Sequence, residues 1–184
     1  MAGIASRSQL RMSLLRYALV ATPAVLLLGT LSGALSGSGE ENAWFAALDK
    51  PDFMPPGWVF GVAWTILYVL LGLVLALLLH ARGARRRGRV IALFAVQLAL
   101  NLAWSPLFFA WHEVAAALTL LAAMVVMTGV LIPFVWRIRP LAALLLVPYL
   151  GWLLFAAALN FEILRLNPEA GTLAPPAAST DIPL

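Results

Sequence analysis

Five stretches of this chain, about 13–36, 57–80, 90–110, 114–136 and 140–164, are apolar almost without interruption. A helix needs roughly 20 apolar residues to cross the hydrocarbon core of a bilayer. Continuous runs of that length argue for membrane helices rather than strands. The composition agrees, because 63% of the 184 residues are hydrophobic and only 11% are charged. Soluble domains carry roughly 25% charged residues, and a water-soluble fold of this size could not hide so much apolar surface. The expected fold class is therefore all-α, an integral membrane bundle of five transmembrane helices forming one domain over 13–166. A basic N-terminal segment over 1–12 precedes it, and a proline-rich tail over 167–184 is expected to be disordered. The first run, Tyr17 to Leu35, exceeds the about 7–15 residues of a signal-peptide core, so it is read as a retained helix.

The charges orient the bundle. Arg7, Arg11 and Arg16 precede the first run. Arg82, Arg85, Arg86, Arg87 and Arg89 separate the second from the third, and Arg137 and Arg139 separate the fourth from the fifth. These regions hold ten of the twelve basic residues and no acid. All eight acids (Glu40, Glu41, Asp49, Asp52, Glu113, Glu162, Glu169 and Asp181) lie in the opposite regions, with only Lys50 and Arg165 as bases. Five crossings with this alternation place the N-terminus inside and the C-terminus outside. Helical spans suit the inner membrane of a bacterium, which is the expected location. The bases are sparse and sit between apolar runs, so topology explains them better than nucleic acid does. The arginine run RGARRRGR reads as a solvated inside loop rather than a specific site for anionic membrane lipid.

Several chemistries are disfavoured. There is no cysteine, hence no disulfide or thiolate metal site. His80 and His112 end apolar runs, and neither has a second ligand at helical spacing, so no metal site is expected. No Asp, Glu, Lys or Arg lies deep in a helix, where an ion-driven carrier usually needs one. No nucleophile–base pair is evident.

What the helices do carry is rings and neutral amides on shared faces. Gly57, Gly61, Trp64, Tyr68 and Gly72 recur at steps of three and four. So do Gln97, Asn101, Trp104 and Phe108, and so do Tyr149, Trp152, Ala156 and Asn160. Such spacings put residues on one side of a helix. Amides are costly against lipid, so these stripes should face inward. Two readings stand: the stripes serve only as glue between helices, or they line a pocket for a flat hydrophobic ligand. The pocket expectation adds Trp58 and Phe155 to those rings. The long acidic-side loop from Ser36 to Pro56 starts flexible (SGSGEEN) and ends stiff (KPDFMPP). Trp44, Pro51, Pro55 and Pro56 make it a candidate lid, since proline lowers the entropy lost on ordering a loop.

Three blocks, WFAALDKPDFMPPGWVFGVAWTILY, QLALNLAWSPLFF and PYLGWLLFAAALNFEILRLN, resemble the tryptophan-rich sensory protein/translocator protein family, also called the peripheral-type benzodiazepine receptor family. The resemblance covers Trp44 to Asn167. It implies a five-helix membrane bundle, often a homodimer, that binds porphyrins such as protoporphyrin IX. In animals it also implies cholesterol and drug ligands. Its bacterial members are associated with tetrapyrrole sensing, transport or scavenging, and light- and oxygen-dependent porphyrin breakdown has been proposed. It implies no cofactor beyond the porphyrin ligand. By the resemblance, Trp64 and Asn101 contact ligand, Trp152 takes part in porphyrin chemistry with Trp64 as a second candidate, and Ala156 is a small ligand-facing position. Ala116 stands where the family has another contact tryptophan. Phe161 replaces the tyrosine of the sterol-recognition pattern between Leu159 and Arg165, which argues against cholesterol. A porphyrin-degrading enzyme and a sterol- or lipid-binding or helix-packing scaffold are the competing readings.

The charge pattern makes a direct prediction. A reporter fused after Leu184 should be active only on the outer side of the membrane. Activity on the inside, in a correctly inserted fusion, would reverse the topology.

Overall fold

The computed structural model describes residues 7–173. Its elements are α1 (Arg7–Leu35), α2 (Ala43–Ala47), α3 (Gly57–His80), α4 (Arg87–Ser105), a π-helical turn (Pro106–Ala110), α5 (Val114–Trp136), α6 (Pro140–Leu166) and a 3-10 turn (Ala170–Thr172). Five of the helices are long and apolar enough to cross a membrane, with α4 and its π turn forming one span, Arg87–Ala110. The molecule is an all-helical, multi-pass membrane bundle.

Helices surrounded by lipid gain nothing from a hydrophobic stripe, so contact between them depends on close packing of small residues. α1 pairs chiefly with α3, and α5 with α6, while α4 lies against α5 and α3 against α6. The α1–α3 approach is made by glycine. A Cβ on Gly72 would stand 2.5 Å from the Thr22 Cα, and one on Gly29 would overlap the Tyr68 ring. Ser32 of α1 adds a hydrogen bond to the Leu102 carbonyl of α4, at 2.6 Å. At the arginine-rich end, Arg82 donates to the Tyr17 hydroxyl, and Arg87 donates to the carbonyls of Leu78 and Leu79 at the end of α3.

The buried core has two parts. One runs through the arginine-rich half and includes Val74, Leu78, Phe94, Leu131, Leu146 and Tyr149. The other lies under the Ser36–Pro56 loop and includes Trp44, Phe45, Leu48, Phe108, Val114 and Ile163. The loop is fastened at several points. Asn42 caps α2 by accepting from the Phe45 N–H at 2.9 Å. Trp44 Nε1 donates to the Ala170 carbonyl at 2.8 Å. Asn167 accepts from the Asp49 N–H and donates to the Asp49 carbonyl, both at 2.8 Å.

Two boundaries differ from the sequence expectation. α1 begins at Arg7, so the described part of the basic segment is helix. The tail does not begin at 167: Asn167 and Ala170 are buried against the loop, and a 3-10 turn follows. Hydrogen bonding to the loop, invisible in a string of small residues and prolines, orders this stretch. Residues 174–184 of the expected disordered tail lie outside the described residues.

Gly72→Ala should lower the melting temperature in detergent, because the methyl meets backbone that cannot step aside; overpacking of this kind costs about 1–3 kcal/mol. Gly61→Ala, where a Cβ meets nothing within 4 Å, should leave the melting temperature unchanged or raise it. Equal losses at both positions would remove the close-approach explanation.

Candidate functional site

The loop end of the bundle encloses a cavity of about 520 Å³, within the roughly 300–1,000 Å³ range of small-molecule sites. α1 contributes Gly29, Thr30, Gly33 and Ala34 to its wall. α3 contributes Gly57, Phe60, Gly61, Trp64, Thr65 and Tyr68, and α4 with its π turn contributes Trp104, Ser105, Phe108 and Phe109. α5 gives Leu121 and Met124; α6 gives Trp152, Ala156, Leu159, Asn160 and Ile163. Ser38, Gly39, Glu40, Phe45 and Met54 close it from the loop side.

Ring packing sets the shape. Trp64 and Tyr68 stack at 5.3 Å between centroids, and the edge of Trp152 meets Trp64 at 6.4 Å and Phe60 at 5.9 Å. Across the cavity wall Trp104 stacks on Phe108 at 5.0 Å and meets Phe109 edge-on at 5.9 Å. The wider π turn after Ser105 allows the successive residues Phe108 and Phe109 both to reach the lining.

The polar atoms divide into two groups. Deep in the bundle, the Tyr149 hydroxyl accepts hydrogen bonds from Gln97 Nε2 at 3.0 Å and Asn101 Nδ2 at 3.1 Å. At the cavity, Nε1 of Trp104, Nε1 of Trp152 and Oδ1 of Asn160 are buried with no partner in the protein. Asn160 Nδ2 meanwhile holds the Val114 carbonyl at 3.1 Å. Buried polar groups normally find partners; these three belong to lining residues but present almost no surface to the cavity themselves, and Gln97 Oε1 and Asn101 Oδ1 in the core, with Thr22 Oγ1, are equally without partners. Among the described residues no cluster of three His, Asp or Glu could share a metal ion.

The family model for the TspO/MBR family matches residues 20–166. The chain belongs to the TspO/MBR family. It is 42% identical to the tryptophan-rich protein TspO of Archaeoglobus fulgidus, over 78% of this chain and 92% of that one. It is 38% identical to the tryptophan-rich sensory protein of Cereibacter sphaeroides, over 70% of this chain and 82% of that one. With the human translocator protein the figures are 37%, 76% and 84%. The family's sequence blocks thus meet at this cavity, drawn from α3, α4 and α6.

Of the ring and amide stripes, Trp64, Tyr68, Trp104, Phe108, Trp152, Ala156 and Asn160 line the cavity. Asn101 and Tyr149 do not. They are buried beside Gln97 in the polar cluster of the core. The stripes on α4 and α6 each run about 11 residues, which is about 16 Å of rise, so a single face passes from packed core to cavity. Trp58 is 70% exposed, turned away from the Gly57–Gly61–Trp64 face, and does not line the way in. Phe155 stands behind the lining, against Trp152 at 5.3 Å and Phe53 at 6.4 Å. Trp44, Pro51, Pro55 and Pro56 also lie off the cavity: Trp44 is buried and stacked on His112 at 4.2 Å, and Pro56 precedes the first turn of α3. They hold the loop, while Phe45, Met54 and Glu40 form its inner surface.

Sequence reasoning missed the wall supplied by α1. Its signal was the small-residue spacing Gly29, Ser32, Gly33, Ser36, which marks a face of close helix approach. Phe60, Phe109 and Met54 also line the cavity without being expected there, each one or two positions from an expected residue.

Tyr149→Phe should lower thermal stability, since it strands two buried amide donors at about 1–3 kcal/mol each. Asn101→Leu should act through the same cluster, lowering stability without a selective loss of ligand binding. A stable Asn101→Leu protein that has lost binding would return Asn101 to the site.

Proposed function

We propose that this cavity binds a flat, hydrophobic tetrapyrrole of the porphyrin class, and that the protein uses it in sensing, transport or scavenging of that ligand. The observation that carries the reading is the lining itself: indoles of Trp64, Trp104 and Trp152 around an apolar cavity, two of them with an unpartnered Nε1. Large rings bind flat π-systems by stacking, adding about 0.5–1.5 kcal/mol per pair beyond area burial. Family membership supports the reading, as does the name of the tryptophan-rich sensory protein relative. We place the N-terminus inside and the loop with its cavity at the outer face of a bacterial inner membrane, on the segregation of acids from arginines.

A second reading, oxidative degradation of the bound ligand under light and oxygen, is favoured by the contact of Trp64 with Trp152 in the lining. Indoles are readily oxidised, and both rings would touch the ligand.

Protoporphyrin IX should quench the tryptophan fluorescence of the protein saturably in nanodiscs, and Trp64→Ala should weaken that binding. Lack of saturation would remove the tetrapyrrole reading. Trp152→Phe keeps most of the stacking surface and is harder to oxidise. If the protein degrades its ligand, this change should leave affinity within about threefold, less than the loss of one stacked pair, while light-driven porphyrin loss falls sharply. Parallel losses would make Trp152 a binding residue only. Porphyrin loss no faster than in protein-free nanodiscs would end the degradation reading.

A further inference from the structure

We infer that the ligand reaches this cavity from the bilayer rather than from water, through a cleft between α1 and α3 that stands open while the loop is closed. The inference rests on the tetrapyrrole reading and adds to it the pool the protein draws on: porphyrin already dissolved in the membrane.

The two helices meet closely over only part of their length. Toward the arginine-rich end a Cβ on Gly72 would stand 2.5 Å from the Thr22 Cα, and nearer the loop one on Gly29 would overlap the Tyr68 ring. One helical turn further on, this contact ends. A Cβ on Gly33 would meet only the Ser38 side chain, at 3.8 Å, and one on Gly61 would meet nothing within 4 Å. Thr30 and Ala34 of α1, with Gly61 and Thr65 of α3, border this gap. They line the cavity and are also exposed on the outside of the bundle. A wall that is lining and outer surface at once is an opening.

The opening suits lipid. Gly61 and Thr65 lie within the apolar span Gly57–His80, about 6 and 12 Å of helical rise from its start. Their chain neighbours Val62 and Ile66, and Leu31 beside Thr30, are exposed apolar side chains. The rim leaves no hydroxyl unpaired: Thr30 donates to the Leu26 carbonyl at 2.9 Å and Thr65 to the Gly61 carbonyl at 2.8 Å. A threonine bonded within its own helix tolerates hydrocarbon, and neither hydroxyl bridges the two helices. The water side is fastened instead. Trp44 is bonded to Ala170 and Asn167 to Asp49, and Glu40 Oε1 accepts from the Gly57 N–H at 2.9 Å. Entry past the loop would break these ties, whereas entry between α1 and α3 breaks none of them. Protoporphyrin IX, a hydrophobic ring with acids along one edge, can slide in ring first. Its acids then stay near the water they are costly to remove from, beside the exposed Ser38 and Gly39 of the lining.

The test measures both rates of protoporphyrin IX binding to the full-length protein in nanodiscs, by stopped-flow quenching of tryptophan fluorescence, with dissociation started by excess empty vesicles. Gly61→Leu places a side chain in the gap. It should slow association and dissociation together by about tenfold or more, as a barrier raised by about 1.4 kcal/mol would, while affinity changes far less. Ala34→Leu, on the facing helix, should act in the same direction and serves alone if Gly61→Leu does not fold. Gly151→Leu, at an open glycine outside the lining, should change neither rate. Unchanged rates in the two cleft variants, or affinity lost through faster dissociation alone, would make these residues mere wall and overturn the inference. The loop is tested separately. The chain has no cysteine, so Asp49→Cys with Asn167→Cys gives one thiol pair that a short bifunctional thiol reagent can join. Rates equal before and after cross-linking support entry through the cleft; arrest of exchange would place entry at the loop and overturn it. Either overturning result leaves tetrapyrrole binding intact. Lack of saturable quenching in the unmodified protein would overturn the tetrapyrrole reading and this inference with it.

Discussion

Lipid offers no hydrogen bonds, so every polar side chain within the hydrocarbon must find a partner inside the bundle or sit where a ligand or water can reach it. Most of this structure follows from how that demand is met. In the arginine-rich half, Gln97 and Asn101 of α4 converge on the Tyr149 hydroxyl of α6, which joins two helices at one buried point. The demand is left partly unmet in both halves: beside Tyr149 the oxygens Gln97 Oε1 and Asn101 Oδ1 have no partner. The indole nitrogens of Trp104 and Trp152 and the Asn160 oxygen remain without protein partners in the wall of a cavity. One half is a closed core and the other a receptacle, though both are built from the same stripes of rings and amides.

The loop makes the receptacle possible. An open end would expose these aromatic walls to water. Trp44, bonded to Ala170, and Asn167, bonded to Asp49, tie the loop to the chain beyond α6, while Glu40 ties it to the first residue of α3. Its stiffness comes from these side-chain contacts at least as much as from the prolines. The same ties set the electrostatics of the site: the capping acid at α3 is the lining's only charged group among the described residues.

Much of this was legible in the sequence. Run length gave five spans, because a bilayer of fixed thickness demands a fixed number of helical residues. Spacing placed Trp64, Tyr68, Trp104, Phe108, Trp152, Ala156 and Asn160 on inward faces, and those residues do line the cavity. Asn101 and Tyr149 share those faces yet belong to the core. Trp58 is off the helical spacing of the α3 face, and it lies exposed on another. The Gly29–Gly33 wall went unnoticed because glycine carries no chemistry of its own; its role exists only in what passes close to it.

By itself, then, the sequence determined the class of fold and the inward face of each helix, since both depend on local periods and on lipid as a solvent common to all positions. Depth along a face, and hence whether a polar group is bonded or left free, was decided only by tertiary structure. Depth depends on which neighbour stands opposite. The Tyr149 hydroxyl stands opposite the Asn101 Nδ2, whereas no acceptor of the protein reaches the buried indole nitrogens of Trp104 and Trp152. No helical period within one chain segment encodes that pairing, because it is set by how far the helices slide past one another when their small residues meet.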